Sequence, residues 1–223
     1  KQAIWMVFSI GVVVAIVLTP AKFIYAFAYV FYAAAFLLLL LVEIAGTTGG
    51  GSERWLVLGP VRIQPSEFMK VAIILALARY LSIKKNRPTA YPKIIVPMLF
   101  VIFPLLLVLK QPDLGTSMIL CALAFPMLYW AGLDSRRLFF LVAPVLSAVF
   151  AAPFIPWFTW YTWVTFMFII LGLLYYSRYP LPMMGAILGS NILAGIATPI
   201  AFNRMKPYQQ ERITTFINPE ADP

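Results

Sequence analysis

The sequence predicts an all-α, polytopic membrane protein, with about eight transmembrane helices in a single transmembrane domain over residues 1–223. Hydrophobic residues make up 62% of the chain and charged residues only 11%, whereas a soluble domain carries about 25% charged residues to cover its surface. The few charges are bunched between long uncharged runs, several of which have the length that a bilayer requires. This pattern excludes a water-soluble globule.

The uncharged runs set the predicted spans. Twenty uncharged residues separate Lys1 from Lys22, and another twenty separate Lys22 from Glu43. Because a spanning helix needs about 20 apolar residues, each such run predicts one span. In chain order, the predicted spans are about 3–20, 23–42, 66–82, 93–109, 114–131, 138–155, 157–176 and 181–201.

The third predicted span is the only one with charges beyond its first residue. It is long enough to cross the membrane with tilt, but it carries Lys70 and Arg79 near its two ends. Ser66 is predicted to be its N-cap, and Glu67 suits the positive end of the helix dipole.

The longest uncharged run holds two spans. Forty residues lie between Arg137 and Arg178, which is about twice the length that one spanning helix needs. We divide the run near Pro153 and Pro156, because two prolines favour a turn there and the neighbouring tryptophans are typical of a membrane interface.

The basic residues give a weak signal for orientation, with nine on the side of the compact loop Lys84–Arg87 and eight on the other. The loop decides the prediction, because basic loops beside spans stay in the cytoplasm. With eight spans, both chain ends are then predicted to lie outside. We also expect the chain to be a fragment of a longer protein, since it opens directly into a span and stops within a polar segment.

Composition excludes several kinds of chemistry. The chain has no histidine, which excludes Ser-His-Asp triads and HExxH zinc sites. Cys121 is the only cysteine, so an internal disulfide or a multi-cysteine metal site is excluded. The net charge of +9 is more typical of basic flanks facing anionic lipid than of nucleic-acid binding. Glycines 49–51 lack the Lys-Ser/Thr of a phosphate loop and predict a flexible connection.

Two groups of charged residues stand at the predicted outer ends of spans. Glu67 and Lys70 are three residues apart on one helix, so they share a face and either form a structural salt bridge or line a polar wall for an anionic substrate. Asp113 is predicted to cap the next-but-one span, with Lys110 and Gln111 beside it. The four charges are expected to line one pocket or to neutralise one another.

The tail, residues 202–223, carries basic and amide residues with Ile213, Phe216 and Ile217 at helical spacing. The spacing predicts either an amphipathic segment on the outer surface or a solvated flank of the last span.

Four motifs resemble the signatures of the SEDS family, the shape, elongation, division and sporulation proteins of bacteria. They are Arg54-Trp55, then Gln64-Pro65-Ser66-Glu67-Phe68-Met69-Lys70, then Lys110-Gln111-Pro112-Asp113-Leu114-Gly115-Thr116, and finally Tyr208-Gln209-Gln210-Glu211-Arg212-Ile213. Their order and spacing cover nearly the whole chain. The form of the last motif resembles the RodA branch more than the FtsW branch.

The resemblance implies a peptidoglycan glycosyltransferase of the bacterial inner membrane that polymerises lipid II for cell-wall elongation and rod shape. It also implies a class B penicillin-binding protein and other elongation-complex proteins as partners, with no nucleic acid. The chain itself is expected to hold no cofactor, while a divalent cation is possible for the full enzyme. The motif face is expected to be periplasmic, with residues 202–223 opening the family's large periplasmic loop.

Two departures from the family accompany the resemblance. The family's catalytic aspartate lies within the large loop, and we expect it after Pro223, so no catalytic residue is assigned in this chain. The predicted spans within about 157–201 also form a hairpin additional to the family's usual fold.

Three alternatives stay open from the sequence. A flippase or transporter of lipid-linked precursor would line a path through the bilayer midplane with polar groups, whereas the charges here stand near the ends of spans. An FtsW-like polymerase would serve division instead of elongation. A non-catalytic scaffold would recruit the crosslinking partner.

Overall fold

A computed structural model describes residues 2–45, 47–49, 52–58, 61–111, 113–153, 160–205, 210–211 and 214–215. The chain divides into two compact units, Lys1–Asp134 and Ser135–Pro223.

Eight helices make up most of the described structure, as the charge spacing predicts. The first unit holds α1 (Gln2–Leu18), α2 (Ala21–Ala45), α3 (Pro65–Ser82), α4 (Ile95–Lys110) and α5 (Leu114–Trp130); the second holds α6 (Ser135–Phe150), α7 (Trp160–Tyr176) and α8 (Leu181–Arg204). Most boundaries lie within three residues of the predicted spans. The largest difference is in α6, which begins at Ser135 and ends at Phe150, where 138–155 is predicted.

Three of the described helical segments are long and apolar enough to cross a membrane by length and composition: Ala21–Ile44, Tyr91–Lys110 and Leu181–Arg204. Three further apolar helical segments are shorter, Ser9–Leu18, Gly115–Trp130 and Trp160–Tyr176. Large hydrophobic side chains are exposed along most of the helices, as expected of surfaces that face lipid instead of water. The chain is a multi-pass membrane protein.

A small antiparallel sheet between α2 and α3 is not predicted by the sequence analysis. Its strands are β1 (Thr47–Gly49), β2 (Ser52–Leu58) and β3 (Val61–Ile63), in the order β1-β2-β3. Gly49 pairs with Ser52, so Gly49 lies in a strand instead of the flexible connection predicted for glycines 49–51, while Gly50 and Gly51 lie outside the described residues.

The helices α2 and α3 form the most extensive interface of the first unit. Buried alanines lie on both helices, Ala28 and Ala35 on α2 and Ala72 and Ala76 on α3. Small side chains let two helix backbones approach closely, which is how helices associate in lipid. Arg79 closes one end of this interface, because its guanidinium donates to the Ala26 carbonyl at 2.8 Å.

A hydrogen-bonded junction joins the three helices of the second unit. The Ser147 hydroxyl on α6 donates to the Asn191 carbonyl on α8 at 2.9 Å and accepts from the Trp163 indole N–H on α7 at 2.7 Å. The Trp163 ring lies directly against Gly195, where a Cβ atom would overlap it. Gly195 therefore makes room for the indole that joins α7 to α8.

We predict that Gly195→Ala destabilises the second unit by about 1–3 kcal/mol, the usual cost of an overpacked site. The indole cannot move aside without losing its bond to Ser147. The measurement is thermal unfolding of the purified chain in detergent, followed by circular dichroism.

Gly189→Ala on the same helix is the matched control, because nothing lies within 4 Å of the added Cβ. It is expected to leave stability unchanged or to raise it by up to about 1 kcal/mol, since alanine favours helix over glycine. Equal effects of the two substitutions would contradict the packing role of Gly195.

Candidate functional site

The candidate site lies where four helix ends of the first unit meet. Two contacts establish the meeting point: the Lys110 ammonium is 2.6 Å from the Glu43 carboxylate, and the Gln64 amide nitrogen is 3.4 Å from Asp113 Oδ2. The first contact joins the carboxyl ends of α4 and α2. The second joins the amino ends of α3 and α5. The motif residues between 64 and 116 therefore gather at one end of the unit, as the predicted topology requires.

Asp113 is the most highly connected side chain of the site. It is 7% exposed, and it caps α5 by accepting from the Thr116 backbone N–H at 3.2 Å. Its second oxygen accepts from the Thr116 hydroxyl at 2.9 Å and from the Gln64 amide. The predicted N-cap is confirmed. Three donors stabilise the ionised carboxylate, because each supplies a charge-assisted hydrogen bond.

The amino end of α3 begins differently from the prediction. Gln64 occupies the N-cap position without a side-chain cap bond, and Pro65 is the first helical residue. The prediction of Ser66 as N-cap is wrong, because proline presets the helical φ and suits the first position, so the helix begins earlier. Ser66 is 2% exposed, and its hydroxyl accepts from the Gln64 amide at 3.2 Å.

Glu67 and Lys70 form the salt bridge that their spacing predicts. The ammonium is 2.8 Å from Glu67 Oε1, with the lysine side chain 22% and the glutamate side chain 54% exposed. Both residues lie on α3, so this pair neutralises charge within one helix. It leaves the Lys70 ammonium only partly accessible from the surface.

Glu43 is a site residue that the sequence analysis did not select. Its side chain is 17% exposed and that of Lys110 is 72% exposed. A carboxylate near the carboxyl end of α2 opposes the helix dipole, and the Lys110 cation offsets this cost. The sequence contains one indication of this pair. A chain returns to the same side of the membrane after every second span, so the ends of the second and fourth predicted spans, with Glu43 and Lys110, lie on the same side.

Glu67, Lys70, Lys110 and Asp113, which are predicted to converge as one group, have three kinds of described contact. Glu67 pairs with Lys70, Lys110 pairs with Glu43, and Asp113 is held by hydrogen bonds. Whether the four charges line one pocket or neutralise one another stays a prediction.

Gln111 and Gly115 complete the described part of the third motif. Gln111 is 6% exposed, and within the described residues its side-chain nitrogen has no hydrogen-bond partner. A buried amide donor without a partner costs about 1–3 kcal/mol. The Gln111 side-chain nitrogen is thus an unsatisfied hydrogen-bond donor of the site. A Cβ at Gly115 would make only an ordinary contact, 3.9 Å from Asp113 Oδ1.

The remaining predicted site residues are placed only in part. Trp55 lies in β2 and is half-buried; Arg54 precedes it in the same strand, but its side chain is outside the described structure. Tyr208, Gln209 and Arg212, like Pro112, lie outside the described residues. Most of the tail prediction for 202–223 lies there as well.

Among the described residues, no group of three or more Cys, Asp or Glu side chains is arranged to hold a metal ion. The acidic residues of the site are instead engaged with Lys70, Lys110 and the donors around Asp113.

The family described as "Cell cycle protein", which groups FtsW, RodA and SpoVE, matches residues 1–161. The chain belongs to this SEDS family. The matched region contains the whole candidate site and ends at the start of α7. The predicted additional hairpin within about 157–201 therefore stays a prediction.

Individual relatives agree with this assignment. Peptidoglycan glycosyltransferase MrdB of Escherichia coli (strain K12) is 35% identical over 147 residues, covering 64% of this chain and 38% of the relative. Peptidoglycan glycosyltransferase RodA of Treponema pallidum is 27% identical over 253 residues, covering 100% of this chain and 57% of the relative. This SEDS chain thus spans little more than a third of MrdB and just over half of the spirochaete RodA.

Solved structures support the same fold. Rod shape determining protein RodA of Thermus thermophilus aligns with a TM-score of 0.53 at 23% identity, covering 87% of this chain and 71% of that one. A chain from the structure described as "Structural coordination of polymerization and crosslinking by a peptidoglycan synthase complex" aligns with a TM-score of 0.55 at 22% identity, covering 100% and 51%. At this identity the likeness concerns the fold alone.

We predict that Asp113→Ala destabilises the first unit by about 2–4 kcal/mol, because it removes a helix cap and leaves the Gln64 and Thr116 donors without their acceptor. Asp113→Asn is the matched variant and is expected to cost less than half as much, since asparagine caps helices as well as aspartate. The measurement is the unfolding midpoint of both variants in detergent. If Asp113→Ala and Asp113→Asn lowered the unfolding midpoint equally, the helix cap and its hydrogen bonds would not be the source of the stabilisation by Asp113.

We predict that the Glu43–Lys110 pair couples two helices, and a double-mutant cycle measures this directly. Glu43→Gln, Lys110→Gln and the double variant are expected to give a coupling energy of about 1 kcal/mol, at the upper end for accessible ion pairs because Glu43 is largely buried. The same cycle on Glu67 and Lys70 is expected to give about 0.3–0.5 kcal/mol, the usual value within one helix. A smaller coupling for Glu43–Lys110 than for Glu67–Lys70 would contradict the bridging role.

Proposed function

We propose that this SEDS chain provides the membrane platform of a peptidoglycan glycosyltransferase that polymerises lipid II for cell-wall elongation and rod shape. Membership of the family supports this proposal, as do the relatives named peptidoglycan glycosyltransferases. Because the chain covers only part of their length, the activity, substrate and partners are all assigned here by inference.

One observation carries the proposal: the motif side chains gather at a single end of the helices. Gln64, Gln111, Asp113 and Thr116 lie together there, with Lys70 and Lys110 beside them. Lipid II carries an anionic pyrophosphate on a long polyprenyl tail, so its enzyme needs cations near the headgroup level and helices that face lipid. Lys70 and Lys110 supply cations at the end of the helices where the motif residues lie.

In glycosyl transfer, the described residues are proposed to bind substrate and not to supply the catalytic base. The reaction needs a base to deprotonate the acceptor hydroxyl and a group that stabilises the pyrophosphate as it leaves. We assign Lys70 and Lys110 to the anion and Gln111 to a substrate acceptor, since its buried N–H lacks a partner among the described residues. No described residue is proposed as the base, which the family resemblance places in the large periplasmic loop.

The position of the charges favours polymerisation at one surface over transport. A flippase would place polar groups along a path near the midplane, whereas Glu43, Glu67, Lys70 and Lys110 all stand within two turns of a helix end. An FtsW-like role in division is the alternative within the same chemistry.

We further propose that the protein lies in the bacterial inner membrane with the candidate site on the periplasmic side, and that a class B penicillin-binding protein crosslinks its product. The structural neighbour from a peptidoglycan synthase complex supports such a partner. A divalent cation, if the full enzyme uses one, is not assigned to the described residues, because they offer no ligand cluster.

The test is polymerisation of fluorescently labelled lipid II by the purified full-length protein. Lys70→Ala is expected to lower the rate about 10- to 100-fold, the value of a charge-assisted contact of 1.5–3 kcal/mol. Lys22→Gln is the charge-matched control, because Lys22 lies at the amino end of α2, away from the site, and it is expected to polymerise at the wild-type rate.

Transfer of labelled lipid II across liposomes by wild-type protein, without polymer formation, would instead identify a flippase. A wild-type rate for Lys70→Ala would remove Lys70 from the proposed site while leaving the polymerase assignment intact.

A further inference from the structure

A second charged feature lies at the opposite end of α3 from the candidate site. The helix ends at Ser82 and is followed by a short 3-10 turn, Lys84–Asn86, and then by Arg87. Lys84, Lys85 and Arg87 are all exposed. We call the segment Lys84–Arg87 the basic turn.

The basic turn is held in one conformation by hydrogen bonds to its own helix. The Asn86 N–H donates to the Ile83 carbonyl at 2.9 Å, and the Asn86 side chain donates to the Tyr80 carbonyl at 3.1 Å. Pro88, which follows the turn, is buried. The backbone that carries the cations is therefore anchored, although their side chains face outward.

The turn geometry brings two of the cations together. The Arg87 N–H donates to the Lys84 carbonyl at 3.4 Å, which closes an i to i+3 turn. Arg87 is the C-cap residue that directly follows the 3-10 turn. Because residues three apart along such a turn lie one above the other, the Lys84 and Arg87 side chains are expected to share one face. An ammonium and a guanidinium on one face match the oxygens of a single phosphate group, since guanidinium binds phosphate through parallel N–H donors.

No described acidic side chain forms an ion pair with Lys84, Lys85 or Arg87. The acidic side chains described in this unit are Glu43, Glu67 and Asp113 at the candidate site, and Asp134, which follows α5; the side chain of Glu53 in β2 lies outside the described structure. The cations of the basic turn therefore remain available to an external anion.

Exposed apolar side chains place the basic turn at the level of the lipid headgroups. Ile83 is 44% exposed immediately before the turn, and Ile95 and Val96 are 59% and 40% exposed where the next helix, α4, begins. Such side chains face hydrocarbon in a membrane helix, while long basic side chains at helix ends extend to the interface. The nearest abundant anion at that level is a phospholipid headgroup.

We propose that Lys84 and Arg87 form a binding site for the phosphate of an anionic phospholipid headgroup, in the leaflet that faces this end of the first unit. The Lys85 ammonium, outside this pair, adds a longer-range electrostatic attraction between the basic turn and the anionic headgroup. The bound lipid holds the end of α3 at a set depth in the bilayer. The site is separate from the lipid II site and does not depend on the proposed function.

The experiment is a titration of the purified chain in neutral detergent with dioctanoyl phosphatidylglycerol or dioctanoyl phosphatidylcholine, with bound lipid counted by native mass spectrometry. The wild-type chain is expected to prefer phosphatidylglycerol. Lys84→Gln with Arg87→Gln is expected to weaken that binding about 30-fold, because each basic residue near an anionic lipid is worth about 1 kcal/mol.

The matched control, Lys85→Gln with Arg62→Gln, removes the same net charge but keeps the proposed pair, since Arg62 lies in β3 at the candidate-site end. It is expected to weaken binding no more than about fivefold, the value of one cation. A conservative exchange, Lys84→Arg with Arg87→Lys, is expected to retain binding within about threefold of wild type, because both charges remain on one face.

Three outcomes would overturn the proposal. Equal binding of phosphatidylglycerol and phosphatidylcholine by the wild-type chain would exclude an anion site. Equal losses in the two charge-matched double variants would show diffuse attraction without a site. Displacement of phosphatidylglycerol by inorganic phosphate at the same concentration would assign the site to a soluble anion.

Discussion

The carboxylate of Asp113 is the interaction on which the candidate site depends. A charged group that is 7% exposed must be stabilised from within the protein, because an uncompensated buried charge costs several kcal/mol. Its donors come from two helices, Gln64 at the start of α3 and Thr116 in α5. Satisfying the carboxylate therefore sets the amino ends of α3 and α5 side by side. The short α4–α5 connection then leaves Lys110 within reach of Glu43 on α2.

The second unit obtains its stability from a neutral junction. In lipid, hydrophobic side chains give no advantage to helix association, because the surrounding tails are equally apolar. The Ser147 hydroxyl instead contacts both neighbouring helices, as acceptor from Trp163 and donor to the Asn191 carbonyl. The missing side chain at Gly195 provides the space for the indole. Gly195, the Ser147 hydroxyl and the Trp163 indole thus add a polar contact among the three helices to the packing of buried apolar residues such as Ile170 and Leu174.

The helices could be predicted from the sequence because a span needs a long apolar run to cross the bilayer, and charges mark where most of these runs end. The sheet was missed because β1 and β3 contain only three residues each, too few for period-two alternation to be visible. Sequence spacing also predicted contacts within one chain segment, such as Glu67 with Lys70, better than those between segments. The Glu43–Lys110 pair joins residues far apart in sequence, and only the packing of α2 against α4 selects it.

The structure also explains why the basic residues give so weak a signal for orientation. The two ends of the first unit have comparable numbers of cations but use them differently. At the candidate site, Lys70 and Lys110 are paired with acids of the protein itself. At the other end, Lys84 and Arg87 face outward without such a pair among the described residues. A count of lysines and arginines treats these groups alike, yet only unpaired cations interact fully with an anionic leaflet. The basic turn therefore contributes more to the orientation signal than the paired lysines of the site.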